Sequence, residues 1–115
     1  MAKTMNVRYT DPSTGDERVY TLEYTRKSIE QMERQGFKMS DIAEKPMITL
    51  PALFSGAFIA HHKFVKPDVI EAVYKSCKNK EALIEKLAAM YNEPLEALLD
   101  EPTGEQGNAV WETDW

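Results

Sequence analysis

Few residues of this 115-residue chain could take part in catalysis or metal binding, and they form no recognised motif. His61 and His62 are adjacent, whereas helical metal sites use histidines four residues apart on one face. Their place at the end of an apolar run favours a helix C-terminus, where cationic side chains are stabilised. Cys77 is the only cysteine, so an internal disulfide and a cysteine-rich zinc site are both excluded. We therefore expect no metal and no cofactor.

The carboxylates and glycines do not supply a catalytic motif either. Glu30 and Glu33 lie beside basic residues on one stretch, which is typical of a solvated helix face. The chain contains neither a GxGxxG fingerprint nor a phosphate-binding P-loop. Cys77 lies among apolar residues, which favours a small buried side chain over a nucleophile. We therefore expect that the protein is not an enzyme.

The net charge of −5 is unevenly distributed. Residues 93–115 contain seven acidic residues and no Lys or Arg. An acidic end indicates a solvated tail or a basic partner, and it argues against nucleic-acid binding, which usually needs a cationic surface. With one cysteine and no apolar leader after Lys3, we expect an intracellular protein without a signal peptide.

The first elements of the predicted fold are two strands of a β-hairpin within residues 5–24. Apolar residues alternate with polar ones over residues 5–9 and again over residues 20–24, and the turn-forming segment DPSTGD lies between them. Because an isolated hairpin is only marginally stable in water, its apolar face must pack against helices.

A short helix is predicted over residues 26–35, with Ile29 and Met32 on one face. Gly36 stands where a left-handed residue would end that helix. In the resulting Schellman motif Phe37 would contact Met32.

The most apolar stretch, MITLPALFSGAFIAHHKF, predicts a helix from about Thr49 to His62 with Pro51 in its first turn. It is too short for a membrane span, which needs ~20 residues. One face of this helix carries a bulky ridge and another carries a groove of small residues. The ridge comprises Leu50, Phe54 and Phe58, and the groove comprises Ala52, Gly56 and Ala60. Such a groove either packs within the core or receives another polypeptide.

Three more helices are predicted, over residues 67–77, from Asn79 to Tyr91, and from about Pro94 with Leu95, Leu98 and Leu99. The predicted fold is α+β: one domain, residues 1–101, with the hairpin followed by about five short helices over residues 26–100. The last two helices allow a helix-turn-helix reading, but acidic residues on the second helix would repel DNA.

The end of the chain, residues 102–115, lacks periodicity, and we expect it to be a mobile acidic tail. It carries both tryptophans, Trp111 and Trp115. Tryptophan is enriched at interface hot spots, so the tail is either a docking peptide or a segment that packs back onto its own domain.

Four segments together resemble a family of tail assembly chaperones from prophages and tailed phages of Gram-positive bacteria. They are YTLEYTRKSIEQMERQGF, EKPMITLPALFSGAFIAHHKFV, NKEALIEKLAAMYNEPLEALLDEP and the acidic tail with its tryptophans. The resemblance runs from about Tyr20 to Trp115.

The resemblance implies a cytoplasmic protein that coats and solubilises the tape measure protein of the phage tail and is absent from the finished virion. It further implies self-association, and contact with the tail tube protein through a C-terminally extended form. No nucleic-acid or membrane partner is expected. We hypothesise that the client or self-association surface involves Ala52, Phe54, Gly56, Phe58, Ala60, Phe64, Trp111 and Trp115. A structural tail completion or connector protein is the main alternative.

Overall fold

The computed structural model describes residues 3–99 and 109–115. Its regular elements are the strands β1 (Thr4–Thr10) and β2 (Glu17–Glu23), and the helices α1 (Arg26–Arg34), α2 (Pro46–Gly56), α3 (Ile59–His62), α4 (Pro67–Ser76) and α5 (Lys80–Leu99). A 3-10 turn at Met39–Ile42 connects α1 to α2. The predicted α+β fold, a hairpin followed by five helices among the described residues, is confirmed. Of the predicted tail, residues 102–108 lie outside the described part, and residues 109–115 have neither helix nor strand.

The hairpin forms as the alternation predicted. β1 and β2 pair antiparallel, with Met5 opposite Leu22 and Val7 opposite Tyr20. The side chains of Tyr20 and Leu22 are buried, whereas those of Met5 and Val7 are half-buried. One face of the hairpin therefore packs under the helices and the other remains exposed.

Both ends of α1 are capped by local hydrogen bonds. The Thr25 hydroxyl accepts from the Ser28 N–H at 3.1 Å, and the Ser28 hydroxyl accepts from the Thr25 N–H at 2.8 Å. Gly36 has φ +94°, and the Phe37 N–H donates to the Met32 carbonyl at 3.0 Å. This is the predicted Schellman ending, and it directs both Met32 and Phe37 into the core.

The single helix predicted over residues 49–62 is wrong in its bounds. Helix α2 begins at Pro46, so Pro51 lies in its interior rather than in its first turn. The helix is interrupted after Gly56, where Ala57 and Phe58 make short i→i+3 bonds, and α3 follows. The Ala57 carbonyl instead accepts from the Glu23 N–H of β2 at 3.1 Å. A tertiary hydrogen bond thus accompanies the break in the apolar run.

The break predicted between the two helices after Asn79 is also wrong, because α5 continues through Asn92 and Pro94 without interruption. Asn79 precedes it with φ +54°, a conformation that Asn tolerates better than most residues, and its carbonyl accepts from the Leu83 N–H. Leu87, Met90 and Tyr91 bury one face of α5, and this packing holds the helix together across its proline.

The core lies between the hairpin and the helices and contains residues from both. Its most deeply buried side chains are Leu22, Tyr24, Leu53, Phe54, Phe58, Val73 and Leu87. The buried Tyr24 hydroxyl donates to the Leu53 carbonyl, so this polar group is satisfied inside the core. No helix in the described part of the chain has the length and hydrophobicity needed to cross a bilayer.

Candidate partner-binding surfaces

Two of the three ridge residues and one of the three groove residues predicted on the central helix lie in the core, whereas Leu50 is half-buried. Phe54 and Phe58 are each 1% exposed, and their rings contact at a centroid distance of 5.2 Å. Gly56 is buried against Met32 of α1: a Cβ at position 56 would lie 2.4 Å from the Met32 sulfur. These three residues contact the chain's own side chains. In the folded monomer they are therefore part of the core and are not accessible to a partner.

The remaining predicted residues of this region are more accessible. Ala52 is half-buried, and Ala60 is exposed. Phe64 follows α3 and is 88% exposed, with the Lys63 ammonium 5.1 Å from its ring centroid. Of these, Phe64 is the side chain that offers a large apolar area to a partner.

Both tryptophans of the acidic tail are exposed. Trp111 is 81% exposed and Trp115 is 98% exposed, and residues 109–115 carry the acidic side chains of Glu112 and Asp114. A large aromatic surface next to carboxylates suits a partner with an apolar pocket and a basic rim.

A row of leucines near the end of α5 forms a surface that we call the leucine stripe. It consists of Leu95, Leu98 and Leu99, which are 39%, 53% and 85% exposed. The spacing i, i+3, i+4 places the three side chains on one side of the helix. The core ends at Tyr91, so the leucine stripe extends an apolar face beyond the packed part of the fold.

A depression of about 220 Å³ lies beside the leucine stripe, between α1 and α5. Ile29, Pro94, Leu95 and Leu98 supply its apolar lining. Its charged lining comes from Arg26, Glu30 and Glu33 of α1. An apolar centre with a polar rim is the usual anatomy of a protein–protein interface.

A larger groove of about 650 Å³ lies between α2 and α4, and we call it the α2–α4 groove. Its apolar lining includes Pro51, Phe54, Ile70 and Tyr74. The rings of Phe54 and Tyr74 are 5.0 Å apart between centroids. Phe54 is buried beneath this groove, and its accessible apolar surface comes from Pro51, Ile70 and Tyr74, against which another aromatic ring can pack.

Two lysines and one glutamate border the α2–α4 groove. The Lys80 ammonium donates to the carbonyls of Lys75 and Cys77 at 3.2 and 2.8 Å and lies 5.7 Å from the Tyr74 ring centroid. Lys80 is therefore fixed in position. The Lys75 ammonium lies 3.5 Å from Glu71, and both side chains are well exposed. Such a pair is weak in water, so Lys75 remains available to an acidic ligand.

The two histidines join α3 to strand β2. The His62 Nε2 accepts a hydrogen bond from the Thr21 N–H at 2.9 Å, so this nitrogen carries no proton. Burial, and then the neighbouring His61, lower the pKa of His62. The His61 Nε2 lies 2.6 Å from a Glu23 carboxylate oxygen. The histidines lie in the last turn of α3, as expected, and these contacts also give the pair a structural role at the edge of the hairpin.

Cys77 is half-buried at the end of α4, and its thiol donates to the Val73 carbonyl at 3.3 Å. Burial raises the pKa of the Cys77 thiol, which disfavours the thiolate. Across residues 3–99 and 109–115, no three His, Cys, Asp or Glu side chains lie where they could hold a metal ion.

Sequence reasoning missed the leucine stripe and the first turn of α2. The i, i+3, i+4 spacing of the leucines was visible, but a separate last helix could have buried them. Met47 and Ile48 are strongly exposed because α2 begins three residues before the predicted start. In both cases the exposure depends on where a helix lies relative to the core. The spacing of apolar residues in the sequence does not determine that position.

The fold and its surfaces define a small α+β domain whose exposed apolar side chains lie mainly on α5, in the first turn of α2, at Phe64 and at residues 110–115. The chain belongs to a family described as a domain of unknown function (DUF5055), whose model matches residues 1–115. A search of curated proteins found no match, and a search of solved structures found none.

Proposed function

We propose that this protein is a non-catalytic tail assembly chaperone that binds the tape measure protein in the host cytoplasm and keeps it soluble during phage tail assembly. The leucine stripe is the observation on which this proposal depends most. The resemblance noted in the sequence supplies the identity of the client, and the exposed apolar side chains supply a means of binding it.

The geometry of the leucine stripe suits a helical client. A row of side chains at i, i+3, i+4 packs against a matching row on a second helix, and a long helical protein with apolar stripes offers many such rows. The depression beside the stripe can receive one bulky side chain of the client. The charged side chains of α1 along that depression favour a client helix with polar flanks.

Weak binding by many copies suits this function better than tight binding by one. The leucine stripe is small, so each contact with the client is modest and reversible. Copies that sit side by side on one long helix gain avidity, and they can still be displaced one at a time. Displacement is needed if tube protein is to replace the chaperone.

The proposal predicts that the double variant Leu95→Glu/Leu98→Glu loses client binding and stays folded. Two carboxylates on the leucine stripe would have to be desolvated on contact with an apolar helix, which is costly. The measurement is the soluble fraction of a tape measure fragment co-expressed with each variant. We expect the fragment to be soluble with the wild-type protein and to aggregate with the double variant.

Ala89→Glu is the matched control, because residue 89 is exposed on α5 outside the leucine stripe. It adds a carboxylate to the same helix and should leave the client soluble. Full solubilisation by the double variant would show that the leucine stripe does not bind the client.

Mass spectrometry of purified particles separates this proposal from a structural connector. A chaperone is absent from the virion, whereas a connector is present in it.

The helix-turn-helix alternative required a turn between Tyr91 and Pro94, and α5 is continuous there.

A further inference from the structure

The acidic tail and the α2–α4 groove are complementary in charge. Residues 61–80 contain five lysines against Asp68 and Glu71. Of these charged residues, Lys75, Lys80 and Glu71 line the groove, which gives its lining two positive charges against one negative. Residues 109–115, in contrast, contain Glu112 and Asp114 and no Lys or Arg.

The two surfaces are also complementary in shape and chemistry. The groove has an aromatic and proline lining and about 650 Å³ of space, enough for a tryptophan side chain with its neighbours. The tail presents Trp111 and Trp115 almost fully exposed. Exposed tryptophans are rare on monomers and are enriched at interface hot spots.

We propose that residues 109–115 of one copy dock into the α2–α4 groove of a second copy, with Trp111 or Trp115 against Pro51 and Tyr74 and the tail carboxylates near Lys75. The groove lies at the Lys80 end of α5, and the tail follows the Leu99 end, about 30 Å away along the 20-residue helix. Within one copy the tryptophans remain exposed rather than seated in the groove. This exposure favours the tail of another copy as the occupant.

This contact is heterologous, because the tail and the groove are different surfaces of the same chain. Each copy can give its tail to one neighbour and receive the tail of another, which produces an open row of copies unless the geometry closes it into a ring. The inference does not depend on the proposed function, since tail docking can be measured without a client.

Tryptophan fluorescence of the full chain tests the proposal, because both tryptophans of the protein are in the tail. We expect the emission maximum to shift to shorter wavelength as protein concentration rises, in parallel with the growth of oligomers in sedimentation velocity. The variant Trp111→Ala/Trp115→Ala should associate at least about tenfold more weakly. It also serves as an acceptor for a labelled peptide of residues 105–115, which should bind it.

A charge exchange tests the predicted position of the tail. Lys75→Glu should weaken association about two- to fivefold, the range of an exposed ion pair, and adding Glu112→Lys should restore it. Lys27→Glu on the exposed face of α1 makes the same change in net charge outside the groove and should have no such effect.

Three results would overturn the proposal. The first is an emission maximum that does not change with concentration. The second is a blue-shifted emission from a species that sediments as a monomer, because the tail would then occupy its own groove. The third is equal association of the Lys75→Glu and Lys27→Glu variants. If the Leu95→Glu/Leu98→Glu variant still solubilised the client, the proposed function would fail. The three measurements of tail docking would be unaffected, so the two proposals fail separately.

Discussion

The Met32 side chain packs against the backbone of Gly56, and only glycine at position 56 allows this close contact. A Cβ there would lie 2.4 Å from both the sulfur and the terminal methyl of Met32, which is itself buried. The absence of a side chain at Gly56 therefore leaves the space that the Met32 side chain occupies. Overpacking of this kind usually costs more than the gain in helix propensity.

We expect Gly56→Leu to lower the free energy of unfolding by about 2–3 kcal/mol, because the new side chain must displace Met32 from the core. Urea unfolding followed by circular dichroism measures this change. The Met32→Ala background supplies the control: with that side chain shortened, the cost of Gly56→Leu should fall, giving a coupling energy of about 1 kcal/mol or more. Equal costs in the two backgrounds would contradict the contact.

His62 makes stability depend on pH. Its pKa is lowered in the folded state, so the unfolded state binds the proton more readily. Its contribution to stability is present above the unfolded pKa of about 6.5 and is lost as the pH falls below that value. Protonation also removes the acceptor of the Thr21 N–H.

We expect the free energy of unfolding of the wild-type protein to fall between pH 7.5 and pH 5, with faster amide exchange at Thr21. His62→Gln is the matched variant, because its amide oxygen can accept the same hydrogen bond without titrating in this range. Its unfolding free energy should change less with pH. If the two proteins show parallel pH profiles, the His62 hydrogen bond is not the cause.

At the scale of the element, the end of α1 depends on backbone conformation rather than on packing. Gly36 has φ +94°, and a Cβ there would meet no atom within 4 Å. It thus differs from Gly56, where space is the constraint. Substituting Gly36 therefore has a conformational cost, whereas substituting Gly56 has a steric cost.

We expect Gly36→Ala to lower the free energy of unfolding by about 1–2 kcal/mol, since a non-glycine residue is strained at this φ. Gly36→Asn should cost less, because Asn adopts left-handed conformations more readily. Thermal or urea unfolding of the pair measures the difference. Equal loss in both variants would show that the cost is not conformational.

The elements that local sequence determines were predicted correctly. The hairpin follows from alternation, and the end of α1 follows from Gly36, because each signal depends on neighbours within a few residues. The breaks were predicted wrongly for the opposite reason. Ala57 leaves the helix to accept a hydrogen bond from Glu23 of β2, and Pro94 stays within α5 because Leu87 to Tyr91 are packed against distant elements.

At the scale of the whole molecule, exposure divides the predicted surface into two kinds of residue. Phe64, Trp111 and Trp115 were predicted by type and lie at the surface. The helical spacing of Phe54, Gly56 and Phe58 is also typical of a docking surface, but these residues lie in the core. Apolar periodicity identifies a helix face that must be covered, and only the fold determines whether the chain or another molecule covers it.

The edge of the hairpin along β2 is occupied by its own helices. The His62 ring receives the Thr21 N–H, and the Ala57 carbonyl receives the Glu23 N–H, so these two donors are closed to an incoming strand. An intermolecular sheet would consequently add more readily along β1, and two copies joined in that way would each present on the outside a strand with these two donors occupied. Strand addition beyond such a four-stranded pair would then be disfavoured, which opposes this route to aggregation.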